Sequence, residues 1–282
     1  MLYKAKTLNC NGRIIDLSTP KIMGILNLTP DSFFDGGRYK GEAALQQVAK
    51  MLADGADMID IGGMSSKPGA SIVSLEEEQE RVIPAIKSIL KEFPEAILSI
   101  DTIRSEIAKE ACDLGVGIIN DISAGSIDSN MYGVLRSVNV PYVLMHMQGF
   151  PENMQDNPNY SNVTKEIIDF MIEELGKIRK HSPTDIIIDP GFGFGKSVAH
   201  NYELLKNLNL FNILECPIMV GLSRKSMINK VIDSTPDKAL NGSTALHMLA
   251  LQNGADILRV HDVKEAVEVK KLHAIYSEAI KH

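Results

Sequence analysis

The sequence predicts an α/β fold: a (β/α)8 TIM barrel with a short N-terminal β-hairpin. Eight short runs rich in Ile, Val and Leu recur along the 282 residues, and a polar or glycine residue ends each run. Runs that are apolar almost throughout are typical of strands buried on both faces of a parallel sheet. The segments between them are long enough for crossover helices. Because such a barrel builds its active site at the carboxyl ends of its strands, the polar ends predict one ring of functional groups.

The hairpin is predicted over residues 2–18, because extended-type residues flank Asn11-Gly12, the strongest short turn signal. We expect it to close the amino-terminal end of the barrel. The eight barrel strands are assigned to KIMGILN, MIDIGG, ILSID, GIIND, YVLMH, IIIDP, IMVGLS and ILRVHD. Helices are predicted over 42–54, 103–114, 129–138, 161–180, 199–207, 239–253 and 263–281. Ser74 and Glu77 predict a capping box that opens one more helix, and Asp262 is expected to cap the last helix.

The composition is that of an ordinary globular protein and argues against some classes of partner. The length suits one barrel, so residues 1–282 are expected to form a single domain. The net charge of −7 argues against a nucleic-acid partner. Three scattered cysteines, Cys10, Cys112 and Cys216, indicate reduced thiols and a cytoplasmic location. No apolar run is long enough to cross a bilayer and the amino terminus lacks a signal core, so we expect no membrane partner.

The first strand ends at Asn27, ahead of a loop rich in Pro, Asp, Ser and Gly. In isolation such a segment would be a turn with Asx caps. At a strand end, however, an amide oxygen suits Mg²⁺, which takes few protein ligands together with waters and phosphate oxygens. Phe33 and Phe34 in the same loop could cover an aromatic substrate.

Two carboxylates, Asp101 and Asp189, end the third and sixth strands. Aspartate is also common at helix N-caps, although Thr102 or Ser197 could fill that position instead. Two carboxylates at one barrel mouth favour acid–base work or the recognition of a ligand with paired N–H donors, which a carboxylate accepts bidentately.

The segment DPGFGFGKS misses both the Walker spacing and the dinucleotide fingerprint by one residue, so we reject nucleotide binding there. Cations follow the last two strands in GLSRKS and RVHD, where barrels commonly bind phosphate. Arg259 and His261 are two residues apart and so share a strand face. His146 fits a packed strand end and a site residue equally well.

Together these motifs resemble those of the dihydropteroate synthases of the folate pathway. MGILNLTPDSFFDGG, DIGGMSSKPGA, SIDT, NDIS, MHMQG, DPGFGFGK, GLSRKS and RVHDV occur in family order over almost the whole chain. The resemblance implies a homodimeric transferase that joins 4-aminobenzoate to 6-hydroxymethyl-7,8-dihydropterin diphosphate and releases pyrophosphate with the help of Mg²⁺.

The resemblance also implies a role for each site residue. Asn27 is the expected Mg²⁺ ligand. The expected catalytic residues are Asp101, Asp189, Lys225 and Arg259. The pterin diphosphate is expected to lie among these four together with Asn120, Ser66 and His261. The aminobenzoate is expected to border Phe33, Pro68, Phe194 and Ser223.

The implied chemistry is a loose, SN1-like loss of pyrophosphate. It leaves a cation on the pterin methylene, which nearby carboxylates would stabilise. The attacking aniline nitrogen is already uncharged, so no strong base is required, and the sequence shows no nucleophile–base dyad.

One loop departs from the family pattern: residues 64–69 read MSSKPG where the family usually has ESTRPG. The exchange of Arg for Lys keeps the charge but loses the planar guanidinium. Two alternatives therefore stay open, a pterin-binding paralogue without synthase activity and a pterin-dependent methyltransferase domain.

Overall fold

The barrel predicted from the sequence is confirmed. A computed structural model describes residues 7–29, 38–64, 72–150, 153–182 and 184–279. The strands are β1 Thr7–Cys10, β2 Arg13–Asp16, β3 Lys21–Asn27, β4 Met58–Gly62, β5 Leu98–Asp101, β6 Ile118–Asp121, β7 Tyr142–Met145, β8 Ile186–Asp189, β9 Met219–Val220 and β10 Ile257–Val260. Strands β3 to β10 form one parallel sheet in the order β8-β7-β6-β5-β4-β3-β10-β9. A parallel bridge between Ile188 and Ile218 joins the two ends of that order.

Helices follow the strands in alternation. They are α1 Arg38–Ala53, α2 Leu75–Glu92, α3 Ser105–Leu114, α4 Met131–Val138, α5 Val163–His181, α6 Val198–Lys206, α7 Ser226–Asn229, α8 Leu240–Gln252 and α9 Val263–Glu278. The sequence did not predict α7 or the 3-10 turns at Leu208–Leu214 and Pro236–Lys238. Among the described residues, no helix combines the length and apolarity needed to cross a membrane. That residues 1–282 form one domain stays a prediction.

The predicted helix caps have mixed outcomes. The Ser74 side chain accepts a hydrogen bond from the Glu77 N–H at 3.1 Å, which is one half of the predicted capping box. The Glu77 carboxylate binds Arg81 instead of returning to Ser74. Asp262 precedes α9, but its side chain caps no N–H of that helix, so this prediction was wrong. Its carboxylate instead binds Arg224, which carries a full charge and is a stronger donor than a backbone amide.

The N-terminal hairpin closes one end of the barrel, as predicted. Asn11 and Gly12 both have positive φ, 54° and 85°, which fits the tight two-residue turn that Asn-Gly predicts. The hairpin buries four apolar side chains against the first inward-facing residues of the barrel strands. The packed cluster comprises Leu8, Cys10, Ile15, Leu17, Met23, Met58, Ile118, Val143, Ile187, Met219 and Ile257. The lower lumen is therefore filled with apolar side chains.

A polar layer lies above this apolar layer. Alternate residues of a strand share a face, so the residue two positions further along reaches the next level of the lumen. Met58, Ile118, Ile187 and Ile257 of the lower layer are thus followed by polar residues at the next level. These polar residues are Asp60, Asn120, Asp189 and Arg259. The alternation places these groups in one ring at the carboxyl ends of the strands.

Glycine at position 24 allows two helices to pack closely on β3. A Cβ atom there would lie 2.6 Å from the Met51 sulfur on α1 and 3.1 Å from Val263 Cγ2 on α9. We expect Gly24→Ala to lower the free energy of unfolding by about 1–3 kcal/mol, the usual cost of overpacking a core. Urea denaturation followed by circular dichroism measures the change.

The matched control is Gly176→Ala in α5, where a new Cβ would meet no atom within 4 Å. This change should raise the free energy of unfolding by about 1 kcal/mol, because alanine is the better helix former. Equal effects of the two substitutions would contradict the close packing at Gly24.

Candidate active site

Arg259 crosses the upper lumen and binds two carboxylates. Its Nε donates to Asp60 Oδ2 and its Nη2 donates to Asp101 Oδ2, both at 2.6 Å. Asn120 Nδ2 also donates to Asp60 Oδ2, at 2.9 Å. Gly62 pairs in register with Asp101 and has no side chain to fill the space beside that carboxylate. The four polar residues therefore form one hydrogen-bonded network.

Asp60 is the site residue that the sequence analysis missed. The second strand was taken to end in its two glycines, and the acid inside the run was passed over. Its side chain is fully buried, and its Oδ1 atom has no hydrogen-bond partner within the described residues. The alternation Met58, Asp60, Gly62 carried the signal, since a charged residue on the inward face of a buried strand needs a partner.

Burial and the neighbouring charges shift the pKa values of this network in opposite directions. Burial raises the pKa of Asp101 to about 7, although the Arg259 guanidinium acts to lower it. Burial acts to lower the pKa of Arg259, but Asp60 and Asp101 outweigh it and hold that pKa above its ordinary value. The arginine is therefore a permanent cation between two carboxylates.

A second pair of charged groups lies at the ends of β8 and β9. Asp189 accepts a hydrogen bond from the Gly191 N–H at 2.7 Å. Lys225 Nζ donates to the Phe192 carbonyl and lies 4.7 Å from the centroid of the Phe194 ring, a cation–π contact. Burial lowers the pKa of Lys225 to about 8, and the Asp189 carboxylate opposes that shift. Burial also raises the pKa of Asp189, against the Lys225 charge.

Arg224 and Lys225, the two cations of GLSRKS, have different partners. Arg224 Nε and Nη2 bind the Asp262 carboxylate at 3.0 and 2.5 Å, so this arginine serves the start of α9. Lys225 alone of the two approaches Asp189. Ser223 is buried, and its Oγ accepts a hydrogen bond from the His261 N–H at 3.3 Å, which brings the two strand ends together.

An apolar cluster lies beside the charged groups. It comprises Met64, Ile103, Ile122, Met145, Met154 and Phe194. Met64, where the family usually has glutamate, is thus packed among apolar side chains. Because methionine carries no charge, this position needs no ionic partner.

Asn27 ends β3 and pairs in register with Gly62 on β4, which pairs in turn with Asp101 on β5. Among the described residues, no group of three or more His, Cys, Asp or Glu could hold a metal. Three further predicted site residues, Phe33, Ser66 and Pro68, lie outside the described residues.

His146 contacts a lysine of the glycine-rich loop. Its Nδ1 lies 3.2 Å from Lys196 Nζ, and its ring meets the Phe170 ring edge-on at 4.9 Å between centroids. Burial and the Lys196 charge lower its pKa to about 3, so the ring is neutral. Of the two alternatives for His146, this geometry favours the packed strand end.

Comparison with known proteins places the chain in a family. The family described as pterin binding enzyme matches residues 23–261. Dihydropteroate synthase from Haemophilus influenzae is 44% identical over 271 residues, which covers 94% of this chain and 97% of the relative. The chain belongs to the dihydropteroate synthase family. Its members are transferases.

Solved dihydropteroate synthases share the whole fold. The Xanthomonas albilineans enzyme with 4-aminobenzoic acid is 39% identical with a TM-score of 0.90, covering 97% of this chain and 99% of that one. The Yersinia pestis enzyme with a sulfonamide drug complex is 40% identical with a TM-score of 0.91, covering 96% and 99%.

The two shifted pKa values predict the pH dependence of this dihydropteroate synthase family member. Asp101 is protonated below its pKa of about 7 and releases Arg259, whereas Lys225 loses its ammonium charge above about 8. We expect kcat/KM for the pterin substrate to rise through the first value and fall through the second, because this ratio reports the free enzyme.

Steady-state kinetics from pH 5.5 to 9.5 measures the profile. Lys225→Arg is the matched variant, because it keeps the positive charge at every pH in this range. In this variant, the decline of kcat/KM on the alkaline side should occur at a higher pH. An alkaline limb identical to that of the unsubstituted enzyme would remove Lys225 as its source.

Proposed function

We propose that this chain condenses 4-aminobenzoate with 6-hydroxymethyl-7,8-dihydropterin diphosphate to give 7,8-dihydropteroate and pyrophosphate. The observation that carries the proposal is Arg259, bound between Asp60 and Asp101 in a lumen that also holds Asp189 and Lys225. These groups present carboxylates, an amide and cations toward one space above a packed apolar floor. A flat heterocycle with N–H donors, a carbonyl and an attached diphosphate matches this set.

Pterin recognition follows from the donors and acceptors. The 2-amino and N3–H edge of the pterin matches the two oxygens of the Asp189 carboxylate. Its carbonyl oxygen matches the Lys225 ammonium. The Arg259 guanidinium is planar, so it can stack on the ring while Asp60 and Asp101 hold it.

The reaction is proposed as a loose displacement. Departure of pyrophosphate leaves positive charge on the exocyclic methylene and the ring, and Asp101 and Asp189 are the carboxylates that would stabilise it electrostatically. The amine of 4-aminobenzoate attacks as a neutral nucleophile, so no general base is needed. A preorganised, water-poor lumen strengthens these electrostatic interactions.

Mg²⁺ is proposed as the cofactor, with Asn27 as its protein ligand. The donor set fits, because Mg²⁺ favours one or two hard oxygen ligands from protein together with waters and phosphate oxygens. When bound, Mg²⁺ supplies charge neutralisation of the diphosphate. Ser66 and His261 are proposed on the diphosphate side as well.

The aminobenzoate pocket is proposed around Phe33, Pro68, Phe194 and Ser223. Phe194 is 9% exposed and Ser223 is 5% exposed, so both are nearly covered. Phe194 lies beside Lys225, where an aromatic acid could share the cation with the ring. We further propose that the partners are small molecules and that the protein is cytoplasmic. The three cysteines are buried thiols, which accords with a reducing compartment.

A homodimer is proposed through the outer face of α9. Leu272, Ile275 and Tyr276 have the i, i+3, i+4 spacing of one helix face and are 67%, 69% and 51% exposed. Leu249 near the end of the adjacent α8 is 48% exposed. An apolar face of this kind is typical of a subunit contact.

We expect Ile275→Glu to shift the protein from dimer to monomer in sedimentation velocity, because a charge in an apolar contact is not compensated. Ile14→Glu on the hairpin is the matched control, since that isoleucine is 64% exposed and should leave the oligomeric state unchanged. A monomeric starting protein, or a dimer in both variants, would contradict this assignment of the contact.

The proposed reaction is tested by mixing the purified protein with both substrates and Mg²⁺ and measuring pyrophosphate. We expect pyrophosphate release that depends on 4-aminobenzoate. Pterin binding without pyrophosphate release would support the inactive paralogue instead. Pterin-dependent methyl transfer to a corrinoid partner would support the methyltransferase.

Asp189→Asn should weaken pterin binding by roughly 2–5 kcal/mol, the cost of losing one partner of a buried charge-assisted contact. The amide presents an N–H to the N–H donors of the pterin. Isothermal calorimetry measures the dissociation constant, with Asp113→Asn on α3 as the control because Asp113 is 59% exposed. An unchanged constant for Asp189→Asn would reject the assignment of this residue.

Sulfonamides mimic 4-aminobenzoate, and we expect them to inhibit competitively with it. The exchanges in residues 64–67 add no bulk, because Ser66 is smaller than threonine and Lys67 is slimmer than arginine. The affinity should differ from that of typical family members by no more than about 1–2 kcal/mol, the scale of one altered contact. Steady-state inhibition at several aminobenzoate concentrations tests this, and complete resistance would reject the pocket.

A further inference from the structure

Lys196 is a buried lysine that the proposed reaction does not use. It is only 3% exposed. Its Nζ lies 2.8 Å from the Gly191 carbonyl, 3.0 Å from the Phe194 carbonyl, 3.2 Å from His146 Nδ1 and 3.4 Å from the His146 carbonyl. Burial lowers the pKa of Lys196 well below its ordinary value, and the Asp189 carboxylate opposes that shift. An ammonium has three donors and no acceptor, so the surrounding carbonyl oxygens and ring nitrogen favour the charged form.

The contacts of Lys196 join two loops at the barrel mouth. His146 belongs to the loop between β7 and α5, and Gly191 and Phe194 belong to the loop between β8 and α6. The loops touch backbone to backbone: a Cβ on Gly191 would lie 1.9 Å from the His146 carbonyl oxygen, and a Cβ on Gly195 would lie 2.3 Å from the Gln148 oxygen. The lysine is the charged link between these two close-packed segments.

The same glycine-rich loop carries groups of the proposed site. Its Gly191 N–H binds Asp189, its Phe192 carbonyl accepts from Lys225, and its Phe194 ring lies beside the Lys225 ammonium. Lys196 itself is covered by this loop. Its effect on a ligand therefore passes through the groups that this loop positions, among them Asp189, Phe194 and Lys225.

We propose that Lys196 is a positioning residue whose buried ammonium group orders the β8–α6 loop and holds Asp189 in its anionic, pterin-binding form. The inference rests on the proposed function, because it concerns the pterin site. Lys196 is linked to Asp189 through Gly191, whose carbonyl accepts from the Lys196 ammonium at 2.8 Å and whose N–H donates to Asp189 at 2.7 Å. Lys196, Lys225 and Arg259 are the cations that act electrostatically on Asp189. Burial raises the pKa of Asp189, and all three charges oppose it. His146, the other titratable group beside Lys196, is neutral and adds no charge.

The test compares Lys196→Met with Tyr160→Phe. The Tyr160 hydroxyl donates to the Gly195 carbonyl at 2.9 Å, so its loss loosens the same loop without removing a charge. Binding of 6-hydroxymethyl-7,8-dihydropterin diphosphate is measured by calorimetry from pH 5.5 to 8.5.

With Lys196→Met, we expect affinity relative to the unsubstituted protein to fall by about tenfold or more at the acid end, the effect of one modest buried charge interaction. The difference in affinity between Lys196→Met and the unsubstituted protein should become smaller toward pH 8.5. Lys196→Arg should restore part of the loss, and Tyr160→Phe should change affinity equally at all pH values. A pH-independent ratio for Lys196→Met would overturn the electrostatic role.

A second measurement needs no variant at the lysine. Nitrogen-15 NMR of the His146 ring, assigned with His146→Gln, should show a neutral ring protonated at Nε2, with Nδ1 accepting from Lys196, down to pH 5. A ring protonated at Nδ1 would mean that the lysine is a neutral acceptor and would overturn the proposal. If the unsubstituted protein bound no pterin at any pH, the proposed function would fail, and the NMR result would still decide the state of Lys196.

Discussion

The Arg259 guanidinium, held between Asp60 and Asp101, is the interaction on which the site depends. Taking three charges out of water costs several kcal/mol for each ion, and pairing offsets this only when the geometry is good. A barrel core of apolar side chains would be no less stable. The charges are therefore best explained by a ligand that needs them.

The rest of the fold creates the conditions for that interaction. The hairpin and the lower ring of apolar side chains close one end of the lumen, so the charged network lies directly above a packed apolar layer. Gly62 leaves space beside Asp101, and the close approach of the loops at Gly191 brings Asp189 and Lys225 to the opposite side. Arg259 with its two carboxylates, and Lys225 near Asp189, make both signs of charge available to a polar heterocycle that carries a diphosphate.

Sequence patterns predicted the barrel, the Asn-Gly hairpin and most of the polar ring, because each depends on local periodicity or on one strand end. They missed Asp60 because it lies inside a run that otherwise looks continuously apolar. They assigned Asp262 to a helix cap because its partner, Arg224, is distant in the chain. The 3-10 turn at Leu208–Leu214 has no strong local signal and depends on tertiary packing. Charge pairs between strands far apart in sequence are the part that local reasoning could not supply.

The most direct test of the central interaction is a double-variant cycle of Arg259→Met and Asp60→Asn, with unfolding free energy and pterin affinity measured in parallel. If the arginine is held by the buried carboxylate, Arg259→Met alone should cost about 3–5 kcal/mol of stability, because it strands a buried charge. The double variant should lose much less than the sum of the two single variants, and it should recover no pterin binding. Strictly additive losses of stability, or pterin binding that survives in the double variant, would contradict the account.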